Sequence, residues 1–155
     1  MGLSQLSTGS RLSTVIDGLA GVLEVVGERW AILVVREVSI GLRRFDEIQA
    51  ATGAPRTVLS DRLRRLTAAG ILATRTYQVP GSRARSEYTL TEAGIDLLPV
   101  LAALSDWGER HLDGAQDQAI VYRHTGCGGR VAVTLRCECG DVIEPRGRLI
   151  AEVNR

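Results

Sequence analysis

The chain has 155 residues, long enough for one compact domain or a small domain with an appendage. Its 19 basic residues, all arginine, stand against 18 acids for a formal net charge of +1, which excludes a chain that is basic throughout; attraction to a polyanion must come from where the arginines cluster. No apolar run approaches the roughly 20 residues of a membrane span, and Met1 to Arg11 lacks the charged and apolar regions of a signal peptide, so a cytoplasmic protein is expected.

Met1 to Ser13 is rich in Ser and Thr and reads as a mobile arm. Ile16, Leu19, Val22 or Leu23, and Val26 recur at helical spacing, which predicts a helix over Thr14 to Val26 closed by Gly27. A second helix is expected over Glu28 to Val38, with Trp30, Ile32, Leu33 and Val34 supplying core. A shorter helix of about two turns carries Phe45, Ile48 and Gln49. It ends at Thr52-Gly53-Ala54, a turn of the length that joins the two helices of a helix-turn-helix.

The next helix is expected over Pro55 to Ala69, because Pro suits a first turn and Gly70 suits the residue just past a last one. Leu59, Leu63 and Leu66 lie at i, i+4 and i+7 and can be buried together on one side. Thr57, Asp61 and Arg64 then point directly away, flanked by Ser60 and Arg65; such side chains reach base edges and phosphates. Ile71 to Tyr77 reads as a strand, Gln78 to Ala84 as a turn and Arg85 to Leu90 as the returning strand, a hairpin whose tip carries Arg83 and Arg85. Arginines on a lone helix are commonly only a solvated face. Between Arg43 and Tyr88, however, nine arginines stand against four acids, and phosphate binding requires such a local excess.

Thr91 is a good N-cap for a helix that runs to His111 and bends at Pro99. Its apolar residues, from Ile95 to Trp107, spread too widely for one buried stripe, so either a partner subunit or the C-terminal segment must cover the second face. In Leu112 to Arg155, short strands are expected at Ala119 to Tyr122, Arg130 to Arg136 and Leu149 to Val153, with glycines at the turns. Three cysteines in a reducing compartment read as thiols or metal ligands. His124, Cys127, Cys137 and Cys139 are the candidate zinc ligands. His124-x-x-Cys127-Gly128 has knuckle spacing, but the second half is one residue short, so a strained four-ligand site and a decayed site held by apolar packing are both open. No Gly-rich phosphate loop, His-Glu-x-x-His or Ser, His and acid set favours an enzyme.

Several strings then align with one family. Gly27-Glu28-Arg29-Trp30-Ala31-Ile32-Leu33, Arg36-Glu37, Arg44-Phe45, Leu59-Ser60-Asp61-Arg62-Leu63, Ala69-Gly70-Ile71-Leu72 and Glu87-Tyr88-Thr89-Leu90-Thr91-Glu92-Ala93-Gly94 resemble the HxlR family of bacterial winged-helix regulators, in its order and spacing, over about residues 17 to 111. The resemblance implies a homodimer that binds a roughly palindromic operator on double-stranded DNA and most often represses a nearby gene. Many members carry a redox-sensing Cys followed by Pro thirteen residues before the Trp; here that place holds Asp17-Gly18, and a carboxylate cannot be oxidised to a disulfide.

The fold class expected is mainly α with a small β wing, a winged helix-turn-helix over residues 14–111, plus a β-rich appendage over residues 112–155. The expected DNA contacts are Arg43, Arg44, Arg56, Thr57, Ser60, Asp61, Arg64, Arg65, Arg83 and Arg85. A small-molecule effector is expected, if anywhere, in a cavity bounded by Trp30, Leu97, Leu101 and Trp107. The alternative is a winged-helix protein-interaction module, which would bind DNA poorly at physiological salt and lacks the exposed aromatic anchors usual at such interfaces.

Overall fold

The computed structural model describes residues 18–78, 81, 84–114, 120–143 and 149–150. The proposed arm, Asp17 and Arg83 therefore lie outside the described residues. Among the described residues, six helices come in the order α1 (Gly18–Val26), α2 (Arg29–Ser39), α3 (Phe45–Thr52), α4 (Arg56–Ala68), α5 (Glu92–Ile95) and α6 (Leu98–His111). Strands β1 (Leu72–Tyr77) and β2 (Arg85–Leu90) fall between α4 and α5, and β3 (Leu135–Arg136) and β4 (Val142–Ile143) follow α6. The result is a mainly helical winged helix-turn-helix with a hairpin wing and a small C-terminal sheet.

The core forms where α2, α3 and α4 bury their apolar sides together. Leu59, Leu63 and Leu66 of α4 are all buried, as their spacing requires, and they meet Ile48 of α3 and Val34, Val35 and Val38 of α2 in one cluster. On α2 the buried apolar positions are Ala31, Val34, Val35 and Val38, so three of the expected core residues are displaced outward: Trp30 and Ile32 pack at the margin of the core and Leu33 is half-buried. The strip of α2 that faces inward is set by where α3 and α4 sit.

Gly53 joins α3 to α4 at φ +71°, a left-handed conformation that only glycine adopts without strain, and its amide donates to the Gln49 carbonyl. Pro55 stands one place earlier than expected, as the residue that caps α4, and donates nothing from its nitrogen there. Gly70 at φ +73° ends α4 and turns the chain into the wing. β1 and β2 pair antiparallel from Leu72 opposite Leu90 to Tyr77 opposite Arg85. The Tyr88 amide also donates to the Arg43 carbonyl at 2.8 Å, which ties the wing to the segment entering α3.

Thr91 caps α5 as expected, its hydroxyl accepting from the Gly94 amide at 3.1 Å. One bent helix to His111 does not form. The chain makes a single turn, α5, and restarts as α6 with Pro99 in its first turn, where the missing amide hydrogen leaves no bond unmade. The C-terminal segment also departs from expectation. Ile120 to Tyr122 form no strand, Arg130 to Arg136 shortens to Leu135–Arg136, and its partner is Val142–Ile143, while Leu149 and Ile150 are not in a strand. This segment docks on one flank of α6: Arg130 bonds Glu109 at 2.7 Å and lies 3.8 Å from Asp106, and the Tyr122 hydroxyl is 3.4 Å from that of Ser39 on α2. Val100, Leu104 and Trp107 of α6, with Leu19 and Leu23 of α1, stay largely exposed. The C-terminal segment thus covers part of α6 and leaves an apolar face open.

Candidate nucleic-acid interface

Helix α4 presents a polar side because its other side is fully used. Arg56, Thr57, Ser60, Arg64 and Arg65 are exposed, and Asp61 is half-exposed between them. Asp61 forms a close ion pair with Arg64 one turn along, and that hydrogen bond holds its carboxyl below the usual range. Arg65 behaves differently from the expectation: it reaches back toward the protein, with one guanidinium nitrogen 3.3 Å from the Glu24 carbonyl and another 3.7 Å from Glu28. Arg62, absent from the expected contacts, is half-buried and pairs closely with Glu28 and at 3.3 Å with Asp61, so it fastens α4 to the start of α2.

A second set of arginines converges beside the first turn of α4. The amides of Arg43 and Arg44 donate to the Glu47 carboxylate at 3.2 and 3.0 Å, half of a capping box that fixes the entry to α3. The Arg44 amide, and after it that of Arg43, holds the Glu47 carboxyl below its ordinary value. The Arg44 guanidinium stacks over Tyr77 of β1 at 5.0 Å and the Arg56 guanidinium over Phe45 at 4.6 Å. Arg85 enters from β2, and the three line a cleft of about 320 Å³ with Asp46 among them. Sequence spacing named the arginines but missed Phe45, Asp46 and Tyr77, which act on them across element boundaries.

The effector quartet is not brought together. Leu97 and Leu101 share a narrow cleft with Val26, Ile32 and Val35, but Trp30 and Trp107 are outside it. Trp30 carries the Arg29 guanidinium 4.8 Å above its ring, and Trp107 lies 5.1 Å from the His111 ring on the exposed side of α6. A larger apolar groove of about 360 Å³ lies between α1, Ile71 and Leu97.

The metal quartet is likewise divided. His124 Nδ1 is 3.3 Å from Cys127 Sγ, with Gly128 at φ +70° closing the turn. Cys137 pairs instead with Cys139, whose amide and then thiol hold the Cys137 thiol below its usual range. Among the described residues no three His, Cys, Asp or Glu side chains gather as a metal site, so the four-ligand zinc arrangement is not formed. Also among the described residues, no helix is long and apolar enough to cross a membrane.

Comparisons with known proteins agree with this geometry. The model of the HxlR-like helix-turn-helix family matches residues 25–116. The uncharacterised HTH-type transcriptional regulator Rv3095 of Mycobacterium tuberculosis is 39% identical over 133 residues, 84% of this chain and 82% of its own. YvaP of Bacillus subtilis, of the same description, is 34% identical over 59% of this chain and 83% of its own. Among solved structures, the candidate transcription factor PA1607 superimposes with a TM-score of 0.74 at 27% identity, covering 90% of this chain and 96% of that one. The redox regulator HypR in its oxidised form matches with a TM-score of 0.55 at 34% identity, over 61% of this chain and 97% of that one.

Proposed function

The chain belongs to the HxlR-like helix-turn-helix family of transcriptional regulators, and on that premise we propose that it is a homodimeric repressor that reads a palindromic operator with α4. The observation that carries the reading is the division of α4 into a fully buried leucine side and an exposed side of Thr57, Ser60 and Arg64, with the arginine cleft and wing adjoining its first turn. In this reading α4 lies in the major groove, Thr57, Ser60 and Arg64 reach base edges, and Arg43, Arg44, Arg56 and Arg85 hold backbone phosphates. Arg65 and Asp61 orient the helix and its contacts rather than read bases.

The exposed apolar residues of α1 and α6 are the surface on which two copies would join, and a two-fold axis there would set two α4 helices about one DNA turn apart. Control by a small molecule would use the groove between α1, Ile71 and Leu97, next to that surface. Footprinting on DNA flanking the gene is expected to reveal a palindrome with half-sites about ten base pairs apart. Negligible DNA affinity at physiological salt would instead favour a protein-interaction module. Arg85→Ala is expected to weaken binding to operator and unrelated duplex alike and to flatten the log–log salt dependence by about 0.9, which a salt titration of each complex would check.

A further inference from the structure

Two acids, Glu87 and Asp46, pair with the arginines beside α4, but only Asp46 lines the cleft. Glu87 is mostly buried, with its side chain 15% exposed, and takes Arg75 of β1 and Arg44, at the entry to α3, at 3.7 Å each. Its charge is internal to the fold. Asp46 is 67% exposed at the mouth of the cleft, 3.4 Å from Arg56 and 3.8 Å from Arg85. Ion pairs this exposed add little to stability, and beyond the modest gain of an acid in the first turn of α3 the carboxylate does little for the fold. Arg44 and Arg56 are already oriented by Tyr77 and Phe45, so they do not need Asp46 to face the cleft.

Three guanidinium groups, from the entry to α3, from α4 and from β2, two of them stacked in place, form a seat for a phosphate oxyanion. We infer that this cleft takes one backbone phosphate of the duplex, and that Asp46 is a resident competitor whose charge the phosphate must overcome. The inference rests on the DNA-binding reading above. A phosphate carries no sequence information, so Asp46 lowers affinity for every duplex by the same factor and leaves base preference untouched.

Asp46→Asn keeps the shape and one acceptor oxygen, removes the charge and puts an amide donor in place of the other oxygen. It is expected to bind operator and unrelated duplex each about fivefold more tightly, the effect of one unit charge about 4 Å away in water. The log–log salt slope is expected to steepen by about 0.9. Asp96→Asn, the same change of charge at the exposed junction of α5 and α6, is expected to bind as the wild type does. Unchanged or weaker binding by Asp46→Asn, tightening on the operator alone, or equal tightening by Asp96→Asn would each overturn the inference. A wild-type chain that binds no duplex sinks the DNA reading itself, whereas a binding wild type indifferent to Asp46→Asn sinks this inference alone.

Discussion

Leu63→Ala is expected to destabilise the protein by about 2–5 kcal/mol, read as a fall in the urea midpoint at fixed protein concentration. Leu63 is 1% exposed and packs in the cluster that joins α4 to α2 and α3, so truncation leaves a cavity that the surrounding helices cannot readily close. Arg64 is the next residue and lies on the other side. Arg64→Ala is expected to leave the midpoint unchanged within about 0.5 kcal/mol, because its ion pair with Asp61 is exposed, and to act on DNA recognition instead. Comparable destabilisation by both substitutions would mean that α4 is buried on two sides and has no face to offer DNA.

Gly94→Ala is expected to cost about 2–3 kcal/mol and to weaken DNA binding at the same time. A Cβ on Gly94 would sit 2.3 Å from the Ile71 carbonyl oxygen and 3.1 Å from Leu90 Cδ2. The first clash is with backbone, so α5 or the base of the wing must move. Gly108→Ala on α6 is the comparison: its Cβ would meet only Leu112 Cδ1, at 3.8 Å, and replacing a mid-helix glycine is expected to stabilise by about 0.5–1 kcal/mol. Urea denaturation of the two variants should therefore move in opposite directions. If Gly94→Ala is neutral, the close contact between α5 and the wing base is wrong.

The elements that carry the interface were legible because each rested on local chemistry. The i, i+4, i+7 leucines of α4, Gly53 and Gly70 at its borders and the turn between the two strands of the wing each specify one geometry without reference to distant residues. Helix α2 was less legible. With apolar residues on most of its circumference, its periodicity does not say which strip faces inward, and the answer, Ala31, Val34, Val35 and Val38, comes from contacts with α3 and α4. Pro99 was read as a bend when it opens a new helix, since both positions satisfy the same missing donor. Arg65, placed by spacing only on the flank of the polar face of α4, is drawn inward by Glu24 and Glu28 across 41 and 37 residues of chain. The C-terminal strands were misplaced because runs of Val and Leu mark apolar segments there but do not fix which of them pair.

Selection of bound duplexes from a randomised pool, run in parallel for the wild-type protein and Arg64→Ala, bears most directly on whether α4 reads bases. The wild type is expected to enrich a two-fold symmetric sequence, and Arg64→Ala to lose discrimination at one symmetry-related base pair in each half-site, worth about 1–3 kcal/mol, while the other positions persist. An identical enriched sequence from both proteins, or no enrichment by the wild type, would contradict it.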